Sequence, residues 1–139
     1  QENVERQIEE ELKVIAKLVK DMGCKRLVVD STTALGVWIP EQGKMRHLLY
    51  SFADSLKELG CTTVLIAETK GGKLDFSAFG VEEFLVDGVV SLYFVPPNRR
   101  IFVRKMRGTN HSKTPHAFNI SELGIEVKPR DEIMWEAIK

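Results

Sequence analysis

Val4, Ile8, Leu12, Ile15, Leu18, Val19 and Met22 recur at spacings of three and four, with Glu and Lys between them. That period predicts an amphipathic helix that stops at Gly23. Met45, Leu48, Leu49, Phe52, Ala53, Leu56 and Leu59 predict a second helix, stopping at Gly60. A Cys and then a continuous apolar run follow each helix: Lys25–Asp30 after the first, Thr62–Ala67 after the second. Apolar strands alternating with helices predict an α/β fold whose parallel sheet is covered on both faces. The two strands lead into carboxylates, Asp30 and Glu68. If the strands are neighbours, these stand side by side at the carboxyl edge, where such sheets bind ligands.

Two segments after those strands read as loops: Thr32–Lys44, with Gly36, Pro40 and Gly43, and Thr69–Gly80, with Gly71, Gly72 and Gly80. The pattern then changes. Val89–Val95, a turn at Pro96-Pro97-Asn98 and Ile101–Arg107 predict a β-hairpin, and Ala117–Ile120 with Ile125–Val127 predict another. The expected architecture is a parallel sheet flanked by helices, with an antiparallel C-terminal edge. Residues 1–128 are expected to form one domain and 129–139 a tail or short helix, Ile133, Met134, Trp135 and Ile138 suiting a helix or an interdomain contact.

Composition allows one ordinary core, with 43% hydrophobic residues among 139. A formal net charge of zero gives the whole chain no field to draw it to nucleic acid or anionic lipid. The cations are nevertheless concentrated. No Asp or Glu lies between Asp87 and Glu122, while Arg99, Arg100, Arg104, Lys105, Arg107 and Lys113 do. Cys24 and Cys61 have no metal-binding or redox spacing and read as small buried hydrophobes. The chain shows no secretory signal and no apolar run long enough for a bilayer, so no membrane partner and a reduced, cytoplasmic setting are expected. It opens on Gln1 with a helical pattern already under way, which predicts a piece of a longer polypeptide.

An apolar strand tipped with Asp30 and Ser31 is how P-loop ATPases bring a carboxylate to the water shell of Mg²⁺. No G-x-x-x-x-G-K-[ST] phosphate loop occurs in these residues. Half of a nucleotide site is thus expected. Along Ile101–Arg107 the side chains alternate, so Ile101 and Val103 share a face with Lys105 and Arg107. A face that begins buried and ends in two cations predicts an anion beyond the strand, and Arg with Lys is a phosphate-binding pair. His47 reads as a surface residue, His116 as structural, and Trp38 and Trp135 as packing or interface residues. Phe76 and Phe79 with Lys70 and Lys73 could stack bases and follow phosphates of a single strand, with Asp75 opposing that use.

Lys105-Met106-Arg107-Gly108-Thr109-Asn110-His111 resembles the K-[LM]-R-G-T-x-H element of the KaiC family of RecA-like ATPases. Leu27-Val28-Val29-Asp30-Ser31 is similar to that family's Walker B strand. Thr62-Thr63-Val64 with Glu68, Gly80-Val81-Glu82-Glu83-Phe84, and Phe118 with Gly124 and Ile125 extend the likeness over roughly residues 4–128. The resemblance implies an incomplete RecA-like P-loop NTPase core that binds ATP and Mg²⁺ in a ring, commonly a hexamer, with nucleotide held between subunits. It implies that Asp30 orients Mg²⁺ through water, with Ser31 a weaker contributor, and that Glu68 senses the γ-phosphate. Lys105 and Arg107 would reach the γ-phosphate from the next subunit, while Met106, Thr109, His111 and Lys113 would line its base, ribose or phosphates. The phosphate loop and the water-activating carboxylates would come from a missing N-terminal portion, whose strand normally lies between those ending at Glu68 and beginning near Val89. Two other readings stay open: a non-enzymatic oligomerisation or regulatory module acting on a partner protein, and a recombinase-like binder of single-stranded DNA.

Overall fold

The computed structural model describes residues 2–37, 39, 41–69 and 82–132, which group into two compact units, residues 1–85 and 86–139. In the first unit, α1 (Glu2–Asp21) and α2 (Gln42–Glu58) pack on a two-stranded parallel sheet of β1 (Arg26–Asp30) and β2 (Thr62–Ile66). A short 3₁₀ turn (Thr32–Val37) follows β1, so the connection expected over Thr32–Lys44 is partly helical and α2 begins earlier, at Gln42. A four-residue helix, α3 (Glu82–Leu85), closes the unit.

The helix ends explain the repeated Gly-Cys pairs. At the first, Cys24 N–H donates to Val19 O (2.9 Å) and Gly23 N–H to Lys20 O (3.1 Å); at the second, Cys61 N–H donates to Leu56 O (3.1 Å) and Gly60 N–H to Lys57 O (2.9 Å). Both are Schellman closures, which need a left-handed residue that only Gly adopts without strain. Gly23 and Gly60 supply φ of 63° and 69°. Each closure turns the chain directly into a strand, and both cysteines are free thiols, Cys61 buried and Cys24 half-buried against the core.

The core is mostly the apolar stripe of α2, Met45, Leu48, Leu49, Phe52 and Leu56, meeting Ile8, Leu12 and Val19 of α1. Leu18 and Met22, expected on that stripe, are exposed, because α1 buries a narrower seam running 8, 12, 15 and 19. Leu27, Val29 and Leu65 pack beneath the helices. Val28, Val64 and Ile66 point the other way and are 62%, 53% and 40% exposed. Among the described residues the sheet is therefore covered on one face, not the two expected from its continuous apolar strands. The strands are adjacent as anticipated, with Arg26 opposite Thr62 through Asp30 opposite Ile66. Thr32, buried, donates its hydroxyl to Ile66 O (3.2 Å) and ties the exit of β1 to the end of β2.

The second unit is an antiparallel meander of β3 (Gly88–Val95), β4 (Asn98–Met106), β5 (His116–Ser121) and β6 (Gly124–Glu132). The two expected hairpins join into one sheet, because Arg99–Ile101 pair with His116–Phe118. The closing strand was expected to end at Val127, with a tail or short helix from residue 129. Instead β6 continues to Glu132, its ladder on β5 absorbing a register shift next to His116. Lys128, Pro129 and Arg130 suit such an outer strand, since Pro and charge are tolerated where one side lacks a partner. Residues 133–139, with Trp135, lie outside the described residues, as do Trp38 and the segment carrying Lys70, Lys73, Asp75, Phe76 and Phe79.

Leu49→Ala is expected to lower unfolding free energy by about 2–5 kcal/mol in urea titrations, because its side chain is 1% exposed within the core. Val28→Ala, on the uncovered face, should cost no more than about 0.5 kcal/mol by the same measurement. Thr32→Val should cost about 1 kcal/mol by leaving Ile66 O without its hydroxyl donor.

Candidate functional site

The carboxyl edge of the parallel pair holds the first group of candidates. Asp30 is the last residue of β1 and is exposed; Ser31, joined to it by a cis peptide, is half-buried. Glu68 lies two residues past Ile66, the partner of Asp30, and is exposed. Its backbone N–H donates to Thr33 Oγ1 (2.8 Å). Thr32 and Thr33 thus hold the chain after β1 against the chain after β2, keeping both carboxylate-bearing exits at one edge. These donors are all oxygen, which suits a hard cation such as Mg²⁺ that keeps several of its waters. Among the described residues no group of three or more His, Cys, Asp or Glu is placed to hold a metal ion.

The second group lies in the other unit, at the end of β4 and in the turn beyond it. Lys105 is half-buried and faces Val89 in the ladder, but the expected shared face with Ile101 and Val103 is broken by a β-bulge. Adjacent Val89 and Val90 pair with Lys105 and Val103, so Lys105 lies on the side of Arg100 and Phe102 instead. The strand ends at Met106, so the expected alternation does not reach Arg107. Its direction is instead set by Asp87. Arg107 Nη1 lies 3.1 Å from Asp87 Oδ1, and Arg107 N–H donates to Asp87 O at 2.8 Å. The two side chains are 56% and 61% exposed, and water screens such a pair to about 0.2–1 kcal/mol.

Beyond Arg107 the turn is closed by its own polar groups. Gly108 has φ 70°, and Thr109 donates both N–H (3.3 Å) and Oγ1–H (3.0 Å) to Met106 O. Met106 folds over Gly88, where an added Cβ would meet its sulfur at 2.8 Å. His111 Nδ1–H donates to Ser112 O (2.8 Å). Ser112 Oγ lies 2.7 Å from His116 Nε2 and also accepts the Thr114 N–H (3.4 Å), anchoring the segment that carries Lys113 to the start of β5. Lys113 is exposed. His116 has the structural part expected of it, and His47 is exposed on α2.

The structure brings Asp30, Ser31 and Glu68 together in one unit, and Lys105, Met106, Arg107, Thr109, His111 and Lys113 together in the other. The chain reading missed the supporting residues Thr32, Thr33, Asp87 and Ser112. A signal existed for one of them: Asp87 is the last carboxylate before the acid-free stretch that holds the cations.

The family model described as "ATPase: KaiC" matches residues 1–132. UPF0273 protein PH0284 of Pyrococcus horikoshii is 34% identical over 126 residues, covering 88% of this chain and 50% of that protein. The circadian clock oscillator protein KaiC of Parathermosynechococcus lividus is 32% identical over 115 residues, covering 80% of this chain and 21% of that one. Among solved structures, the KaiC-like protein PH0186 of Pyrococcus horikoshii OT3 superposes with a TM-score of 0.69 at 36% identity, over 85% of this chain and 53% of that one. The α/β class with a RecA-like relative is therefore as expected, and the chain spans about half the length of the curated relatives it matches. Among the described residues no helix is long and apolar enough to cross a membrane. This chain belongs to the KaiC family of ATPases.

Proposed function

We propose that these residues form the metal-carboxylate and trans-acting parts of an ATP-hydrolysing site shared between subunits of a ring. The observation that carries the reading is the basic turn: Lys105 near the end of β4 and Arg107 just beyond it stand two residues apart, and the carboxylate that pairs with the Arg107 guanidinium among the described residues is solvent-screened. Exchanging that carboxylate for a phosphate oxygen costs little, and the new partner carries more charge.

In this reading Asp30 accepts hydrogen bonds from metal-bound water, Ser31 adds a hydroxyl beside it, and Glu68 reports on the γ-phosphate from the neighbouring strand. Bound Mg²⁺ would supply charge neutralisation across the β- and γ-phosphates. Lys105 contributes a point charge and Arg107 a planar fork to the terminal phosphate of a nucleotide held by the adjoining subunit. Met106, Thr109, His111 and Lys113 line the same nucleotide along its base, ribose or phosphates, and the Ser112–His116 contact keeps their segment in place. The phosphate loop is supplied from outside these residues. A hexameric ring and a cytoplasmic setting belong to the same proposal.

The test uses the longer polypeptide that joins these residues to a phosphate loop. Arg107→Ala should lower kcat by about 10³-fold or more, the scale of an arginine acting in trans, while nucleotide affinity changes only severalfold. Mixing Arg107→Ala subunits with Asp30→Asn subunits should restore part of the turnover, because some interfaces then receive both intact halves. Normal turnover by Arg107→Ala, or no recovery on mixing, refutes the shared site. Absence of turnover in the unmutated assembly, with nucleotide still bound, would favour a regulatory module instead. Ser112→Ala is expected to raise KM more than it lowers kcat, through loss of order in the turn.

A further inference from the structure

The polar face of the second unit carries cations that the proposed ATP site does not use. Arg100 pairs with Ala117, and Ala117 with Lys128, so the three stand in one row across β4, β5 and β6. Paired residues of an antiparallel ladder point to the same side, and strands are spaced about 4.8 Å apart. The row therefore sets two cations roughly 10 Å apart with only a methyl group between them. Asn98, two residues before Arg100, and Asn119, two after Ala117, fall on that side as well. Together they border a cleft of about 270 Å³, close to the lower limit for small-ligand pockets.

Arg100 is half-buried, and its Nη1–H donates to the carbonyl of Arg99 at 3.0 Å. Arg99 turns to the opposite side, its guanidinium 5.2 Å from the centre of the Phe94 ring. Among the described residues no ion pair is formed by Arg100 or Lys128. Two acids are near: Asp131 lines the rim, and Glu126 stands opposite Asn119 in the ladder. Like charges set about a small residue repel unless an anion lies between them, and an Arg fork with a Lys point charge suits a tetrahedral oxyanion. Four residues of β4 lie between Arg100 and Lys105, so roughly 17 Å of strand separates this cleft from the turn that carries the proposed ATP contacts.

We propose that the cleft bordered by Arg100, Ala117 and Lys128 binds a phosphate-sized oxyanion, either free phosphate or the head of a phosphomonoester. Arg100 grips two of its oxygens, Lys128 balances its charge from the far side, and the amides of Asn98 and Asn119 complete the rim. Ala117 is what makes room.

The test is a titration of the 139-residue chain with inorganic phosphate at constant ionic strength, read from backbone amide shifts. Saturable shifts should gather at residues 98–100, 117–119 and 128. Arg100→Gln should weaken binding tenfold or more and Lys128→Gln severalfold, whereas Asp131→Asn should tighten it by removing a competing charge. Ala117→Leu, which fills the gap without changing charge, should abolish saturation. Phenyl phosphate in place of phosphate identifies the source: equal or tighter binding assigns an ester head, and binding of phosphate alone assigns the free ion. Unsaturated shifts, shifts gathered instead at 105–113, or an Arg100→Gln variant that binds as the parent does would each overturn the proposal. Because the ATP reading rests on Arg107 and turnover, failure here leaves it standing, and the reverse also holds.

Discussion

The parallel register of β1 on β2 is the constraint from which the rest of the first unit follows. It aligns Asp30 with Ile66, and so brings Glu68 to the same edge two residues later. Hydrogen bonds alone would not hold a two-stranded parallel sheet, which has little independent stability. The α2 stripe holds it, with Met45, Leu49 and Leu56 each no more than 1% exposed above Leu27, Val29 and Leu65. Slipping one strand by one residue would turn those three side chains away from the helices and the outer set inward. The hydroxyls of Thr32 and Thr33 then bind the two exits together, so the position of the carboxylates depends on the packing beneath them.

In the second unit electrostatics decides more than burial. Phe118 and Pro115 are deeply buried, whereas Val90, Leu92 and Phe94 remain exposed among the described residues. What organises the chemistry is the absence of acids from residue 88 to residue 121, together with a β-bulge that turns Lys105 away from the side of Ile101 and Val103. Asp87 sits just outside that interval and reaches back to Arg107 at 3.1 Å. A screened pair of this kind orients a guanidinium while leaving it free to exchange partners, which a buried pair could not do without a large desolvation cost.

Among the described residues one side of the parallel sheet is uncovered, with Val28 at 62% exposure. A chain that spans about half of its relatives has the strands of an α/β sheet and, among the described residues, helices on one side of it only. Strands buried on both sides read as continuous apolar runs, and these two do so here. Their composition is thus matched to more cover than the described residues of the first unit provide.

Local chemistry was legible in the chain. The 3.6-residue period located α1 and α2, the Gly-Cys pairs marked both helix exits, the apolar runs marked β1 and β2, and the Pro-Pro turn marked the β3–β4 hairpin. Each of these is set by interactions among residues close in sequence, which is why pattern alone finds them. Less was legible where distant segments compete. The extension of β6 to Glu132 follows from a free β5 edge, the direction of Arg107 from a carboxylate twenty residues away, and the Arg100–Ala117–Lys128 row from the register of three strands. Sequence determined which side chains could serve as oxygen donors or cations. Tertiary structure decided which of them share an edge, a face or a partner, because register and long-range hydrogen bonds carry no local period.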